Sequence, residues 1–333
     1  MAHLFDYIGI VGGGAWGTAL ATVARRAGRT VLLWAREPEV VEAVNAHHEN
    51  RLFLPGIVLP AEIKATGNLA DLVRCDLLLL AVPAQHTRTM AQEAAKALGG
   101  RVPVIICAKG IEQSSAKLLS EIVSEELPEH PLAVLSGPSF AGEVARDLPA
   151  ALTLAAKDKV LGERIVASIG TRHFRLYLTD DVTGAQVGGA VKNVLAVACG
   201  IAMGCKLGEN ARAALITRGL AEMMRLGAAM GARAETLMGL SGLGDLVLTC
   251  SSLQSRNMSL GAALAEGTIL SDILARRTGV TEGVFTAAAA KTLAQKYKVE
   301  MPIVMAVDAV LNHRAALEDT IEALLARPFK AEH

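Results

Sequence analysis

Residues 8–19 read Ile8-Gly9-Ile10-Val11-Gly12-Gly13-Gly14-Ala15-Trp16-Gly17-Thr18-Ala19, and this stretch decides the fold. A short β-rich run, Ile8–Val11, meets glycines at Gly12, Gly14 and Gly17, and a helical stretch, Thr18–Ala27, follows. The G-x-G-x-x-G spacing gives each glycine its own task. Gly12 permits a tight turn, Gly14 lets the backbone approach a pyrophosphate, and Gly17 lets the helix pack close to the strand. The helix N-terminus then faces the anion with free N–H groups and its dipole. Alone the pattern is weak evidence. A strand before it, a helix after it and a second strand, Thr30–Trp34, favour a dinucleotide site over a merely structural glycine turn.

Outward from this unit the alternation continues. Val40–His47, Thr87–Leu98 and Ser114–Glu126 read as helices, and Leu77–Val82, Val104–Ala108, Leu132–Leu135 and Ala151–Ala155 as strands. Such alternation implies a parallel sheet covered by helices. Leu77–Val82 is apolar throughout, as a strand buried on both faces should be. After Thr179-Asp180-Asp181 the strand-like runs stop. Segments rich in Ala, Gly, Leu and Met at helical spacing replace them: Ala185–Met203, Ala211–Met230, Leu260–Glu266, Phe285–Lys296 and Ile303–Leu311. The expected fold class is therefore α/β. A Rossmann-type parallel-sheet domain, residues 1–180, binds the dinucleotide, and an all-helical domain, residues 181–333, serves substrate and catalysis. No flexible linker separates them, so a cleft between closely packed domains is expected.

The charge balance, 33 Lys+Arg against 33 Asp+Glu, and an aromatic content of 3% exclude a nucleic-acid binder, which needs a cationic surplus and stacking rings. Cys75, Cys107, Cys199, Cys205 and Cys250 are odd in number and show neither Cys-x-x-Cys nor metal-ligand spacing. They fit a reducing cytoplasm, and no metal is expected. Tyr7–Ala24 lacks charge, yet Asp6 precedes it, Arg25 and Arg26 follow it, and glycines interrupt it. It is neither a secretory signal nor a membrane span. The reading is a soluble cytoplasmic protein without membrane insertion, whose apolar second half is able to bury a homodimer interface.

Isolated charges in apolar surroundings mark the chemistry. Lys192 is the one charged residue between Asp181 and Lys206. On a helix its neighbours three and four positions away are Gly188, Gly189, Leu195 and Ala196, all small or apolar. A poorly solvated ammonium has a lowered pKa and can transfer protons near neutrality; the alternative is a lysine that snorkels to water. Asp245 stands alone between Glu235 and Arg256 and needs a partner. Lys192, a polar ligand, or a helix N-cap role each answer that need. Ser255 as an N-cap would put Arg256 and Asn257 in a first helical turn able to converge on an anion, or would begin an ordinary surface helix. Lys109 and Ser136-Gly137-Pro138-Ser139 follow strands, at the ends where open α/β sheets bind ligands, although solvated-loop and turn readings also serve. Beyond the second strand, Arg36 suits the 2′-phosphate of NADP, which it favours over NAD; the adjacent Glu37 leaves the choice open.

Taken in order, residues 12–21 (Gly-Gly-Gly-Ala-Trp-Gly-Thr-Ala-Leu-Ala), 108–112 (Ala-Lys-Gly-Ile-Glu), 136–141 (Ser-Gly-Pro-Ser-Phe-Ala), 188–193 (Gly-Gly-Ala-Val-Lys-Asn), 242–246 (Gly-Leu-Gly-Asp-Leu) and 254–257 (Gln-Ser-Arg-Asn) resemble the bacterial NAD(P)-dependent glycerol-3-phosphate dehydrogenases. The resemblance runs from about residue 8 to about residue 310. It implies reversible hydride transfer between NAD(P)H and dihydroxyacetone phosphate, giving sn-glycerol 3-phosphate for phospholipid synthesis. By the same resemblance Lys192 is the proton donor, with Asn193 orienting the substrate beside it, and Lys109 contacts substrate and nicotinamide. Gly137, Ser139 and Asp245 touch substrate, and Asp245 also the catalytic lysine. Ser255, Arg256 and Asn257 hold the phosphate. Ala15, Trp16, Arg36, Ala141, Arg256, Val280 and Glu282 line the dinucleotide with the glycine turn. Cys107-Ala108 before Lys109, where Thr is common, and Ser139 for a frequent Thr depart from the usual wording without removing a required donor. The rival readings are a 3-hydroxyisobutyrate- or 6-phosphogluconate-type dehydrogenase, and a dinucleotide sensor without turnover.

Overall fold

A computed structural model describes residues 4–328; the outer ends of the two expected domains, residues 1–3 and 329–333, lie outside the described residues. The strands are β1 (Tyr7–Val11), β2 (Thr30–Trp34), β3 (Glu49–Asn50), β4 (Leu54–Val58), β5 (Lys64–Thr66), β6 (Leu77–Leu80), β7 (Val104–Ile106), β8 (Leu132–Ser136), β9 (Ala150–Ala155) and β10 (Phe174–Thr179). Eight of them form one sheet in the order β10-β9-β8-β7-β6-β1-β2-β5, while β3 and β4 pair as a separate hairpin. The all-leucine β6 lies at the sheet's interior. Leu77 and Leu79 enter one core and Leu78 and Leu80 another, so the period of two fills both faces with apolar side chains.

The sheet is not wholly parallel, because β8 and β9 run antiparallel, with Leu135 opposite Leu154. The connection between them contains only the five-residue helix Ala141–Ala145. Its rise of about 7.5 Å is too short to carry the chain back along β8, so β9 re-enters the sheet from the end where β8 left. Two helices are also reshaped. The stretch read as Val40–His47 is the helix Pro38–Glu42 continued by a π-turn, Ala43–His47. Residues 114–118 belong to a loop closed by an Ile111–Leu118 bridge, and the helix begins at Leu119.

The second half is helical from Val182 onward among the described residues. Its axis is the helix Val182–Gly204, N-capped by Asp181, whose carboxylate accepts the Gly184 N–H at 2.8 Å. By length and hydropathy this helix would cross a membrane, but 83% of its most apolar window is buried inside the protein. Glu209–Ala229, Asp245–Cys250, Arg256–Ala265 and Glu282–Tyr297 all pack against it. Small residues let them close in. A Cβ at Gly200 would lie 2.0 Å from the Met258 carbonyl oxygen, and one at Gly261 2.1 Å from that of Val197. Two helix backbones therefore meet with no room for a methyl group. Gly200→Ala and Gly261→Ala should each lower stability by about 1–3 kcal/mol, the usual range for overpacking. Urea unfolding checks this, and unchanged midpoints would refute the tight crossing.

Candidate active site at the strand ends

The glycine turn joins β1 to the helix Ala15–Arg26. Gly12 has φ +126°, and a Cβ there would stand 2.7 Å from the Ala81 carbonyl oxygen, so only glycine suits it. A Cβ at Gly17 would lie 1.9 Å from the Gly12 carbonyl oxygen, which is the close helix–strand contact the spacing implied. At Gly14, the residue capping the helix, a Cβ would meet nothing within 4 Å. The turn is thus packed behind and open in front. Ala15 and Trp16 form the first helical turn beside it, and the buried Trp16 indole nitrogen has no acceptor among the described residues. Past β2, the side chain of Arg36 is 76% exposed and pairs with Glu37 at 2.7 Å. Open backbone at a helix N-terminus and an unmatched indole N–H fit a dinucleotide.

Two lysines and the lone aspartate meet beside the neighbouring strand ends. Lys109 follows β7 and Gly137 follows β8. The Lys109 amine donates to the Gly137 carbonyl at 2.6 Å, to Ser139 Oγ at 3.3 Å and to Asp245 Oδ2 at 2.8 Å. From the central helix, Lys192 Nζ reaches Asp245 Oδ1 at 2.5 Å and Thr249 Oγ1 at 2.8 Å. One buried carboxylate therefore serves two amines. The small neighbours of Lys192 make this possible, since a Cβ at Gly188 would strike the Ser241 carbonyl at 2.5 Å and one at Gly189 the Ser136 hydroxyl at 2.5 Å. Asp245 opens the helix Asp245–Cys250 directly after the π-turn Leu240–Gly244, a device common at functional sites. Its side chain serves the amines and Thr249 rather than capping that helix, and Lys192 does not snorkel. Burial lowers the Lys192 pKa to about 8; Asp245 works against that fall and Lys109 adds to it.

The remaining predicted residues form the flanks. Asn193 donates to the Lys109 carbonyl at 3.2 Å and accepts from Asn257 at 2.9 Å, while Asn257 accepts the Gly283 N–H at 2.9 Å. These amides tie three helices to the Lys109 loop. Ser255 caps the helix Arg256–Ala265 by accepting the Met258 N–H at 3.2 Å, which puts Arg256 in the first turn as read. The Arg256 side chain is exposed, and its guanidinium makes no hydrogen bond among the described residues. Val280 and Glu282 lie at the start of Glu282–Tyr297. Glu282 accepts the Ala84 N–H at 2.9 Å, its other oxygen is unmatched, and burial raises its pKa to about 7. Ala141 begins the short helix after β8, and Arg36 stands apart at the end of β2.

Sequence reading missed several supports. Thr249, four residues after Asp245 on one helix face, holds the Lys192 amine; that spacing was its signal. Gln85 and Arg88 brace the Lys109 loop, through Ile111 and Gln113 and through Glu112 respectively. These bonds join residues more than twenty positions apart, which no local pattern announces. Asp245→Asn should push the Lys192 pKa below about 8, and Lys109→Met should raise it. NMR titration of isotopically labelled lysine reads both, and shifts of the same sign would contradict the shared carboxylate.

Known families match over nearly the whole chain. The profile of the NAD-dependent glycerol-3-phosphate dehydrogenase N-terminus matches residues 7–161, and that of the C-terminus residues 181–322. A glycerol-3-phosphate dehydrogenase (NAD(P)+) of Parvibaculum lavamentivorans is 56% identical over 332 residues, covering 100% of both chains. One of Caulobacter vibrioides is 56% identical over 328 residues, covering 98% of this chain and 99% of its own. The crystal structure of glycerol-3-phosphate dehydrogenase from Coxiella burnetii superposes with a TM-score of 0.93 at 39% identity, over 97% of this chain and 99% of that one. These matches favour the glycerol-3-phosphate dehydrogenase reading over its rivals. With a glycine turn after the first strand and a buried carboxylate shared by two lysines, the chain belongs to the NAD-dependent glycerol-3-phosphate dehydrogenase family of oxidoreductases.

Proposed function

We propose that this chain reduces dihydroxyacetone phosphate reversibly to sn-glycerol 3-phosphate at the Lys192–Asp245–Lys109 cluster, in the cytoplasm, as a supply for glycerophospholipid synthesis. The observation that carries the mechanism is the buried carboxylate of Asp245 holding both amines at 2.5 and 2.8 Å. When bound, the nicotinamide supplies or accepts the hydride. Lys109 polarises the substrate carbonyl, and its bonds to Gly137 and Ser139 hold it at the strand end. Lys192 donates a proton to the developing alkoxide oxygen, or accepts it in the oxidative direction. Asp245 and Thr249 orient the amine for that transfer. Arg256, with Ser255 and Asn257 shaping the helix start, takes the phosphate, and Asn193 steadies the substrate beside Lys192. The glycine turn, Ala15, Trp16, Lys109, Ala141, Arg256, Val280 and Glu282 line the dinucleotide. Arg36 selects the 2′-phosphate of NADP over NAD. Residues 1–180 act as the cofactor domain and 181–333 as the catalytic domain, in a homodimer built through the helical half.

Lys192→Ala should leave NAD(P)H affinity nearly intact and cut turnover by ~10²–10⁴, the typical worth of an acid/base group. The pH profile tests the same role with its sign. Reduction needs the protonated amine, so kcat/KM should be level below about pH 8 and fall above it; oxidation needs the free amine and should rise to a plateau above that pH. Profiles that fail to mirror one another would remove Lys192 from the proton transfer. With NAD(P)H saturating, Arg256→Ala should lower kcat/KM for dihydroxyacetone phosphate by about 10²-fold, the loss of a charge-assisted contact, while leaving unphosphorylated dihydroxyacetone little affected. Equal losses for both substrates would show that Arg256 does not read the phosphate.

A further inference from the structure

The glycine turn is braced from behind by a residue outside its motif. Asn50 ends β3 and is 1% exposed. Its Nδ2 donates to the Gly13 carbonyl and to Thr18 Oγ1, both at 2.8 Å, and its Oδ1 accepts the Phe53 N–H at 3.1 Å. Thr18 Oγ1 donates to the same Gly13 carbonyl at 3.4 Å. Gly13 is confined on its other side too, since a Cβ there would stand 2.4 Å from that of Ala35. The β3–β4 hairpin thus grips one peptide group of the turn, the Gly13–Gly14 unit.

The consequence follows from peptide planarity. No cis peptide occurs among the described residues, and in a trans peptide the C=O and N–H point in opposite directions. Holding the Gly13 carbonyl inward on Asn50 turns the Gly14 N–H away from the hairpin. That N–H has no acceptor among the described residues, and the space beside Gly14 is open. Backbone N–H groups aimed into open space at a helix N-terminus are anion donors. We propose that Asn50 is a positioning residue for the cofactor: it fixes the Gly13–Gly14 peptide so that the Gly14 N–H is aimed at the dinucleotide pyrophosphate. The inference rests on the glycine turn being the pyrophosphate site.

Binding measurements separate the two claims. Gly14→Ala places a methyl group where nothing lies within 4 Å, at φ −69°, and should fold yet lose NADH binding. Retained affinity there would overturn the turn reading, and the inference with it. Asn50→Ala should raise the Kd for NADH and for NADPH by a common factor of about tenfold, the scale of one or two lost hydrogen bonds, as read by isothermal titration. Turnover at saturating cofactor should stay within about twofold, since the turn lies away from the reacting atoms. Asn50→Asp, which replaces the donor with a carboxylate facing the Gly13 carbonyl, should weaken binding further. Asn45→Ala is the control. That amide exchanges two 2.9 Å bonds with the Ala65 backbone and does not touch the turn, so it should cost stability without changing either Kd. Wild-type affinity in folded Asn50→Ala, or an equal loss in Asn45→Ala, would overturn the inference. Should Asn50→Ala fail to fold, Thr18→Val decides, because it removes the second grip on the Gly13 carbonyl; unchanged NADH affinity in it would count against the proposal.

Discussion

A single buried carboxylate shared by two ammonium groups is the constraint around which this molecule is arranged. Asp245 is 1% exposed and receives both Lys192 and Lys109. With both amines protonated the cluster holds one positive charge in excess, where burial limits screening by water. Such an excess suits an anionic substrate and an oxygen that gains charge during reaction. The carboxylate also offsets part of the fall that burial and the Lys109 charge impose on the Lys192 pKa, which lies at about 8. Breaking such a buried set by removing one partner is costlier than never having built it, because a charge is then left uncompensated.

The cluster is assembled from both halves of the chain. Lys109, Gly137 and Ser139 come from the ends of β7 and β8, whereas Lys192, Asp245 and Thr249 come from helices. A second tie, from Glu282 to the Ala84 N–H, joins the start of a late helix to the loop after β6. The asparagine chain Asn193–Asn257 links the helices to the Lys109 loop. The site is therefore complete only when sheet and helices are docked, and its geometry inherits the rigidity of the central helix. That helix admits backbone contact at Gly188 and Gly200 and the Ser136 side chain at Gly189, where any side chain would push its neighbours out of reach.

Much of this was legible from local pattern. The glycine spacing located the turn, the all-leucine run located β6, and two charges without charged neighbours located Lys192 and Asp245. Those signals are local because they rest on sterics at one residue or on solvation of one side chain. The weakly patterned elements were lost: β5 is three residues long, β10 mixes Arg175 and Tyr177 with apolar positions at the sheet edge, and the β3–β4 hairpin has only two residues in its first strand. Edge strands are half-solvated, so their composition is not constrained strongly enough to announce them.

What the sequence determined by itself was the kind of chemistry available, namely a glycine turn opening a helix, an amine starved of water and a carboxylate that needed a partner. Tertiary structure alone decided which groups meet. Asp245 had a cap, a ligand and a lysine open to it, and only the packing of its helix against Val182–Gly204 gave it both amines. Likewise Thr249, Gln85, Arg88 and Asn50 acquire their roles from partners distant in the chain. Desolvation and backbone freedom can be read one residue at a time, but a hydrogen bond depends on where two residues end up, and that is known only once the whole chain has packed.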